Sequence, residues 1–362
     1  MSKKLAILLF TLTVLIGFAG SYVVGGIQAY SRYQQTSIAN QQHCGGRSPV
    51  HICVRAPAAL FSAFYPSYTA TQYPLFTVEY SSSSPVTLLI NVSITAFSQV
   101  ETHSVNATAT LQTVNFTPPQ FNQALSKLTS DQNVSLHVQV ADMLGHLYYL
   151  NDSSLLLHSR WLMQWLADNR LQIAAWVTPN DPAIKALVEK AAKRLQAASS
   201  TNLEALVGYN NASRQDVMAQ VDAIFDTLRL DYGIQYIEAS VPYSGPANTS
   251  AAIQNIKLPA EVLKERGGMC IELTVLMAAA VEHIGLHAQI VITRGHAFLG
   301  VAVTPDNQHF EYWDAVQINN NVAGASANIA TDTYYTQHPL VDTILISDAR
   351  KAGIGPMIPT VV

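Results

Sequence analysis

Apolar and polar residues alternate through much of residues 61–157, with the period of two that half-buried β-strands require. Ser-rich residues 81–85 and residues 142–145, which end in glycine, are turn signals between such runs. The clearest alternations are Val86, Leu88, Ile90, Val92 and Ile94, and then Leu136, Val138 and Val140. This pattern predicts a β-rich region with few helices.

A helical period replaces this alternation from Pro179 onward. Two stripes of apolar residues recur there at spacings of three and four, which is typical of helices with one face on a core. The first stripe is Ile184, Leu187, Val188, Ala191 and Leu195, and the second is Val217, Val221, Ile224, Phe225 and Leu228. Strands followed by helices predict an α+β protein.

The chain has 362 residues, enough for two domains. We predict a small immunoglobulin-like β-sandwich over residues 61–157 and a second domain over residues 158–362. The first carries no residue that suggests chemistry, so a spacer or binding role is expected for it. A formal net charge of −4, with no sustained basic stripe, gives no reason to expect nucleic acid as a partner.

The N-terminus has the features of a membrane anchor. Lys3 and Lys4 precede an uncharged stretch whose apolar core, residues 5–24, is long enough to span a bilayer. The two lysines favour a cytoplasmic N-terminus. We therefore predict a transmembrane helix over residues 1–30 in a single-pass protein of the cell membrane, with the rest of the chain outside the cytoplasm. A cleaved signal peptide is the alternative, with a poor cleavage site at residues 19–21.

Residues 31–60 are rich in Gln, Ser, Gly and Pro and show no period, so we predict a stalk. Two of the three cysteines, Cys44 and Cys53, lie in it and are separated by turn-forming residues. A disulfide between them fits an oxidising compartment. A metal site that also uses His43 and His51 is the alternative.

Cys270 remains without a partner if those two cysteines pair. It follows Gly267 and Gly268 and begins an apolar run that predicts a helix to about Ile284, while a short helix from Pro259 is expected to end at the glycines. The free backbone N–H groups and the dipole of a helix N-terminus favour a thiolate and can hold an oxyanion. These features make Cys270 a candidate nucleophile.

A base and a carboxylate follow it in the chain. His296 begins a β-rich run after Arg294 and Gly295, and Asp314 ends a short aromatic strand. Asp314 could accept from one ring nitrogen of His296 while the other nitrogen takes the thiol proton. A structural cysteine, a buried histidine and an ordinary strand end are the alternative interpretations of these three residues.

The motifs together resemble the transglutaminase-like superfamily in its bacterial form, and the resemblance covers residues 177–359. A proline precedes a short helix, Gly-x-Cys precedes an acidic residue and an Ala-rich helix, and Gly-His-Ala-Phe precedes a strand that carries Asp. The matching residues are Pro259, Gly268, Cys270, Glu272, Leu273, Gly285, Gly295, His296, Ala297, Phe298 and Asp314. Many members have Asp in place of Glu272, which leaves the role of this carboxylate open.

The resemblance implies a papain-like fold in which Cys270, His296 and Asp314 form a catalytic triad acting on amide bonds of a protein or peptide. Gln254 resembles a glutamine before the Pro-containing helix of some relatives and is a candidate oxyanion donor, although it could equally be a surface residue. Water as acceptor would give a peptidase or amidase, which we favour, and an amine would give transglutamination. No calcium-loop pattern occurs, so neither a metal nor another cofactor is expected.

Two other function classes compete with this hypothesis. Superfamily members can lose the triad, so a non-catalytic binding or assembly module at the cell surface is the first. A disulfide-exchange protein is the second, and the lack of a Cys-x-x-Cys pair counts against it.

The anchor hypothesis predicts that the mature protein keeps residues 1–30 and sediments with membranes. N-terminal sequencing of the isolated protein checks it. A mature chain that begins near Gly20 would show that the segment is a cleaved signal peptide instead.

Overall fold

The computed structural model describes residues 40–70, 75–165, 169–197, 205–238, 252–293, 295–338 and 340–357. The predicted anchor lies outside these residues. Within them, no helix is both long enough and apolar enough to cross a bilayer.

Two sheets form the N-terminal part of the protein, and their strands are numbered along the chain. The first sheet is antiparallel and contains, in order across it, β1 (Asn40–Gly45), β2 (Val50–Pro57), β4 (Phe76–Ser82) and β7 (Gln112–Phe116). The second contains β3 (Ala59–Phe61), β9 (Leu147–His158), β8 (Gln132–Asp142), β5 (Val86–Ile94) and β6 (Glu101–Ala107), with only β3 parallel to its neighbour.

The predicted alternation in β5 and β8 is confirmed, because Leu88, Ile90, Val138 and Val140 are all buried. The side chains of both sheets belong to one apolar cluster, in which Val54 of β2 is also buried. Two short helices, α1 (Tyr65–Ala70) and α2 (Phe121–Leu125), lie among these strands.

The stalk predicted for residues 31–60 is wrong for residues 40–60, which form β1, β2 and the start of β3. The N-terminal β-region therefore begins by Asn40 rather than at residue 61. The missed signal is the alternation of Val50, Ile52, Val54 and Ala56, all of which are buried. Polar residues in β1 and the Gly-Gly and Ser-Pro pairs nearby obscured this period.

Cys44 and Cys53 face each other across β1 and β2 and are joined by a disulfide. Both sulfurs are used in this bond, so neither is free to serve as a thiolate ligand in the alternative metal site. His51 lies beside the bridge, with its Nε2 atom 3.4 Å from the Cys53 sulfur.

Helices dominate the rest of the protein, which is therefore mixed α+β. Both predicted stripes are buried on the helices that contain them. The helices are α3 (Pro182–Ala197), α4 (Arg214–Leu230), α5 (Pro259–Glu265), α6 (Cys270–His283), α7 (Gly324–Gln337) and α8 (Ile346–Lys351), with short 3₁₀ helices at Ser62–Phe64, Arg170–Trp176 and Ala315–Ile318.

A third sheet packs against α6. Its strands are antiparallel and contain, in order across the sheet, β16 (Phe310–Trp313), β15 (His296–Ala302), β14 (Ala288–Thr293) and β17 (Leu340–Leu345). Two smaller pairs complete the fold: β10 (Leu162–Trp165) with β12 (Ala252–Asn255), and β11 (Gln235–Tyr236) with β13 (Gly267–Gly268).

Helix α6 is apolar on all sides, and every residue from Cys270 to Val281 is buried. A helix of this kind belongs inside a core rather than on a surface. It contacts β14 and β15 together with α3, α4 and α5. Its N-terminus is the end at which the candidate nucleophile lies.

The disulfide predicts that protein isolated without reductant contains one free thiol, Cys270, after denaturation. The double substitution of Cys44 and Cys53 by Ser should lower the free energy of unfolding by about 2–3 kcal/mol, because the unfolded chain gains loop entropy. Thiol titration and urea unfolding measure the two effects. Three titratable thiols in the unreduced protein would contradict the assignment.

Candidate active site

Cys270 is the first residue of α6, and Met269 is its N-cap. The preceding helix, α5, ends at Glu265, and Arg266 takes the left-handed conformation with φ 57°. Gly267 and Gly268 do not end that helix as predicted, because they form the short strand β13. Cβ atoms on these glycines would lie 2.8 Å from the Ile237 side chain and 3.1 Å from the Glu272 carboxylate, so the glycines allow close packing before Cys270.

Glu272 holds the backbone on both sides of this turn. Its two carboxylate oxygens accept from the N–H groups of Lys257 and Met269, at 2.8 and 3.0 Å. Burial raises the pKa of this carboxyl, and the two backbone N–H groups and the Lys257 charge oppose that shift. Its position in the first turn of α6 was expected, and the structure adds that it joins the start of α6 to the segment before α5.

His296 begins β15, directly across from Thr293 of β14. Gly295 lies between them with φ 80°, a conformation that glycine adopts without steric cost. This reversal of the chain brings the imidazole to the N-terminal end of α6, where His296 and Cys270 line the same small cavity and the Cys270 side chain raises the pKa of the ring.

Asp314 follows β16 and lies beside the same imidazole. Its Oδ2 atom is 2.7 Å from His296 Nε2, and its Oδ1 atom accepts from the backbone N–H of Val316 at 3.0 Å. Only 15% of the His296 side chain and 8% of the Asp314 side chain remain exposed. Since Asp314 occupies Nε2, Nδ1 is the nitrogen left for the sulfur of Cys270.

The electrostatic balance at His296 favours the charged ring. Burial alone would lower the pKa of this imidazole, but hydrogen bonds to Asp314 and Cys270 and their negative charges raise it to about 10 from 6.5. The ring is therefore an imidazolium at neutral pH, held between a carboxylate and a sulfur.

The two carboxylates nearest to Asp314 in sequence lie elsewhere. Glu311 pairs with Arg214 and accepts from Asn328. Asp306 lies in an exposed turn and accepts from Thr304 at 2.6 Å. Asp314 is thus the carboxylate that the structure brings to His296.

Gln254 lies on β12 and reaches the same site. Its Oε1 atom accepts from the indole N–H of Trp165 at 2.9 Å. Because an indole N–H can only donate, this bond fixes which end of the amide faces outward. The Nε2 donor therefore points away from Trp165, towards Met269, whose sulfur is 3.7 Å away.

A small cavity of about 10 Å³ connects these groups. That volume holds about one water-sized group. Trp165, Gln254, Cys270, Ile271, Ile292, Gly295, His296 and Ala297 line it.

Tyr236 is a neighbour of the site that the sequence did not indicate. Its strand β11 pairs with β13, so Tyr236 lies opposite Gly268. Asn319 holds its backbone through both the N–H and the carbonyl groups. Burial, with the negative charges of Cys270 and Asp314, raises the pKa of its phenol to about 12. No local pattern could have revealed this residue, because only a two-residue strand pairing brings it here.

No family model matches the chain. A comparison with curated proteins likewise gives no significant match.

The charged imidazole can be checked by NMR titration of the His296 ring in the folded protein. We expect a midpoint near pH 10, and a lower one after Asp314→Asn or Cys270→Ala, since each change removes a negative charge from beside the ring. A wild-type midpoint near 6.5 would contradict this electrostatic picture.

The raised pKa of His296 also predicts how the free energy of unfolding depends on pH. The pKa of folded His296 lies above its ordinary value of 6.5, so protonation favours the folded state. This contribution is complete below about pH 6.5 and is lost as pH rises towards 10. Urea unfolding of wild type and His296→Gln at pH 6 and pH 10 should therefore give a smaller difference at the higher pH.

Proposed function

We propose that this protein is a thiol enzyme that cleaves or transfers amide bonds through an acyl-enzyme on Cys270. One observation carries the proposal: a single, largely buried imidazole is hydrogen-bonded to a buried carboxylate and shares a small cavity with a thiol at a helix N-terminus. Nucleophile, base and orienting group are the three parts that such catalysis needs. A structural cysteine, a buried histidine or an ordinary strand end would each account for one of these residues. None of them accounts for why Cys270, His296 and Asp314 lie together.

The proton balance of the reaction follows from this geometry. The Cys270 sulfur attacks the carbonyl carbon as a thiolate, and the imidazolium of His296 gives its Nδ1 proton to the departing amine. A thioester remains. Water then attacks the thioester, His296 takes a proton from it, and the thiolate leaves, so the free acid is released and the imidazolium is restored.

Asp314 acts through His296 during both steps. Its carboxylate accepts from Nε2, so Nδ1 is kept facing the sulfur and the departing amine. Because Val316 donates to the other oxygen, the carboxylate cannot rotate freely. The charge on Asp314 also stabilises the imidazolium form.

The tetrahedral intermediate needs donors for its oxyanion, and two sources belong to residues that line the cavity. The Nε2 group of Gln254 is one, with its direction set by Trp165. The unpaired backbone N–H groups in the first turn of α6 are the other. The cavity between Gln254 and Cys270 has room for about one oxygen-sized group, which suits a carbonyl oxygen.

Hydrolysis is the favoured outcome, because water is always present and transamidation requires a bound amine. We propose a protein or peptide as the substrate. The proposed setting is a papain-like domain that follows an immunoglobulin-like β-sandwich and is held outside the cytoplasm by an N-terminal membrane helix. The same chemistry needs no metal or cofactor.

Alkylation by iodoacetamide tests the proposal without knowledge of the substrate. Cys270 is the only free thiol, so mass spectrometry reports on it directly. We expect fast modification at pH 6–7 that slows strongly in His296→Ala. Equal, slow rates in both proteins would reject the enzyme hypothesis and favour a non-catalytic binding module.

The triad should show unequal losses when turnover of a denatured protein substrate is measured. Cys270→Ala should abolish new N-termini and ammonia release, while the protein still folds because the change removes only one sulfur atom at the first residue of α6. Asp314→Asn should reduce kcat less, since the amide still accepts a hydrogen bond from His296. Addition of methylamine distinguishes water from an amine as the acceptor, because incorporation of methylamine into the substrate would indicate transamidation.

The role of Gln254 can be tested by Gln254→Met, which keeps the size of the side chain and removes its donors. Loss of one oxyanion donor typically costs about 10²–10³ in kcat. The exposed Gln235→Met is a matched control and should be close to wild type. Equal kcat in the two variants would show that Gln254 is only a partner of Trp165.

A further inference from the structure

Helix α7 lies beside β16 and directs two side chains at the His296–Asp314 pair. We infer that Thr331 and Tyr334, three residues apart on one face of this helix, are positioning residues for the pair. This inference rests on the proposed function, because it gives these residues a role in that same site.

Thr331 holds the backbone of Asp314. Its hydroxyl oxygen accepts from the Asp314 N–H at 2.8 Å, and its proton is donated to the carbonyl of Ala327 at 2.7 Å. Donor and acceptor roles are therefore both assigned, so the hydroxyl cannot turn away without the loss of two buried bonds. Thr331 is 1% exposed, and water could not replace either bond.

The contact with Thr331 fixes the direction of the Asp314 carboxylate. With the Asp314 N–H held by Thr331 and Oδ1 held by the N–H of Val316, only Oδ2 is left to face His296. A shift of the Asp314 backbone would lengthen the 2.7 Å bond to the imidazole. Thr331 thus sets the geometry of that bond through the backbone of Asp314.

Tyr334 covers the imidazole itself. Its ring centroid is 5.8 Å from that of His296, with the planes at 73°, and 6.1 Å from that of Phe298. On another side the Tyr334 ring stacks on His338 at 3.9 Å. An aromatic ring within about 6 Å of an imidazolium can stabilise its charge and keep water away from its hydrogen bonds.

Helix α7 is itself fixed in place. Asn328 donates to the carbonyl of Tyr312 at 3.1 Å and to Glu311 at 3.3 Å. Gly324 packs so closely on Asp222 that a Cβ atom would lie 2.7 Å from its Cα. The helix is therefore locked to β16 and α4, which makes it a rigid support.

The rate of Cys270 alkylation by iodoacetamide at pH 6 tests this inference, with His296→Ala as the reference for a lost pair. Thr331→Val removes the hydroxyl at nearly constant volume and should slow alkylation about tenfold. Thr331→Ser keeps the hydroxyl and should recover most of the rate. Thr333→Val is a matched control on the same helix, because Thr333 also donates to a carbonyl one turn earlier but is exposed.

Tyr334→Leu removes the ring and should also slow alkylation at pH 6, whereas Tyr334→Phe should keep most of the rate. Tyr334 is half-buried, and its hydroxyl lies 3.5 Å from that of the buried Thr293, a contact that Tyr334→Leu and Tyr334→Phe both remove. The difference between these two variants therefore reports on the ring, and it decides the question if Thr331→Val does not fold. The NMR signal of the His296 Nε2 proton gives a second readout. It should move in Thr331→Val and Tyr334→Leu but not in Thr333→Val.

The outcomes separate the two proposals. If His296→Ala alkylates as fast as wild type, the proposed function fails. If His296→Ala is slow but Thr331→Val and Tyr334→Leu match wild type in rate and in the imidazole signal, the enzyme proposal survives and the positioning role is wrong.

Discussion

Helix α6 has no polar face, so the second half of the molecule has to surround it. Strands β14 and β15 cover it together with α3, α4 and α5. Only its ends can meet solvent or polar groups, and at its N-terminal end the strand β15 begins. The burial of one helix therefore determines where a thiol and an imidazole can meet. Glu272 and the close-packed Gly267 and Gly268 hold the N-terminal end of this helix in place.

The positive charge of His296 also depends on the residues packed around it. A buried imidazole on its own would lose its proton, because burial favours the neutral form. Here a carboxylate and a sulfur lie on either side of the ring and more than offset that cost. The ring is stable as a cation only as long as both partners keep their positions, and Thr331 and Val316 hold Asp314 while the buried start of α6 holds Cys270.

Local sequence patterns were sufficient for the parts of the site that lie on regular elements. Cys270 at a helix start, His296 at a strand start and Asp314 at a strand end could each be placed by periodicity and turn signals. Thr331, Tyr334 and Tyr236 could not, because their contacts with the site depend on how distant elements pack, and helix α7 shows no strong amphipathic pattern. The N-terminal strands were missed for a different reason: β1 is polar and β2 lies among Gly and Pro, so a buried alternation resembled a stalk.

The position of the disulfide has a consequence for how the chain acquires its covalent structure. Three cysteines permit three pairings, and two of them would consume Cys270. Cys44 and Cys53 are 9 residues apart, whereas Cys270 is far from both. Closing the short loop is favoured over either long one by about 3 kcal/mol of chain entropy. Oxidative folding is thus biased towards the isomer that leaves Cys270 reduced, before any tertiary contact has formed.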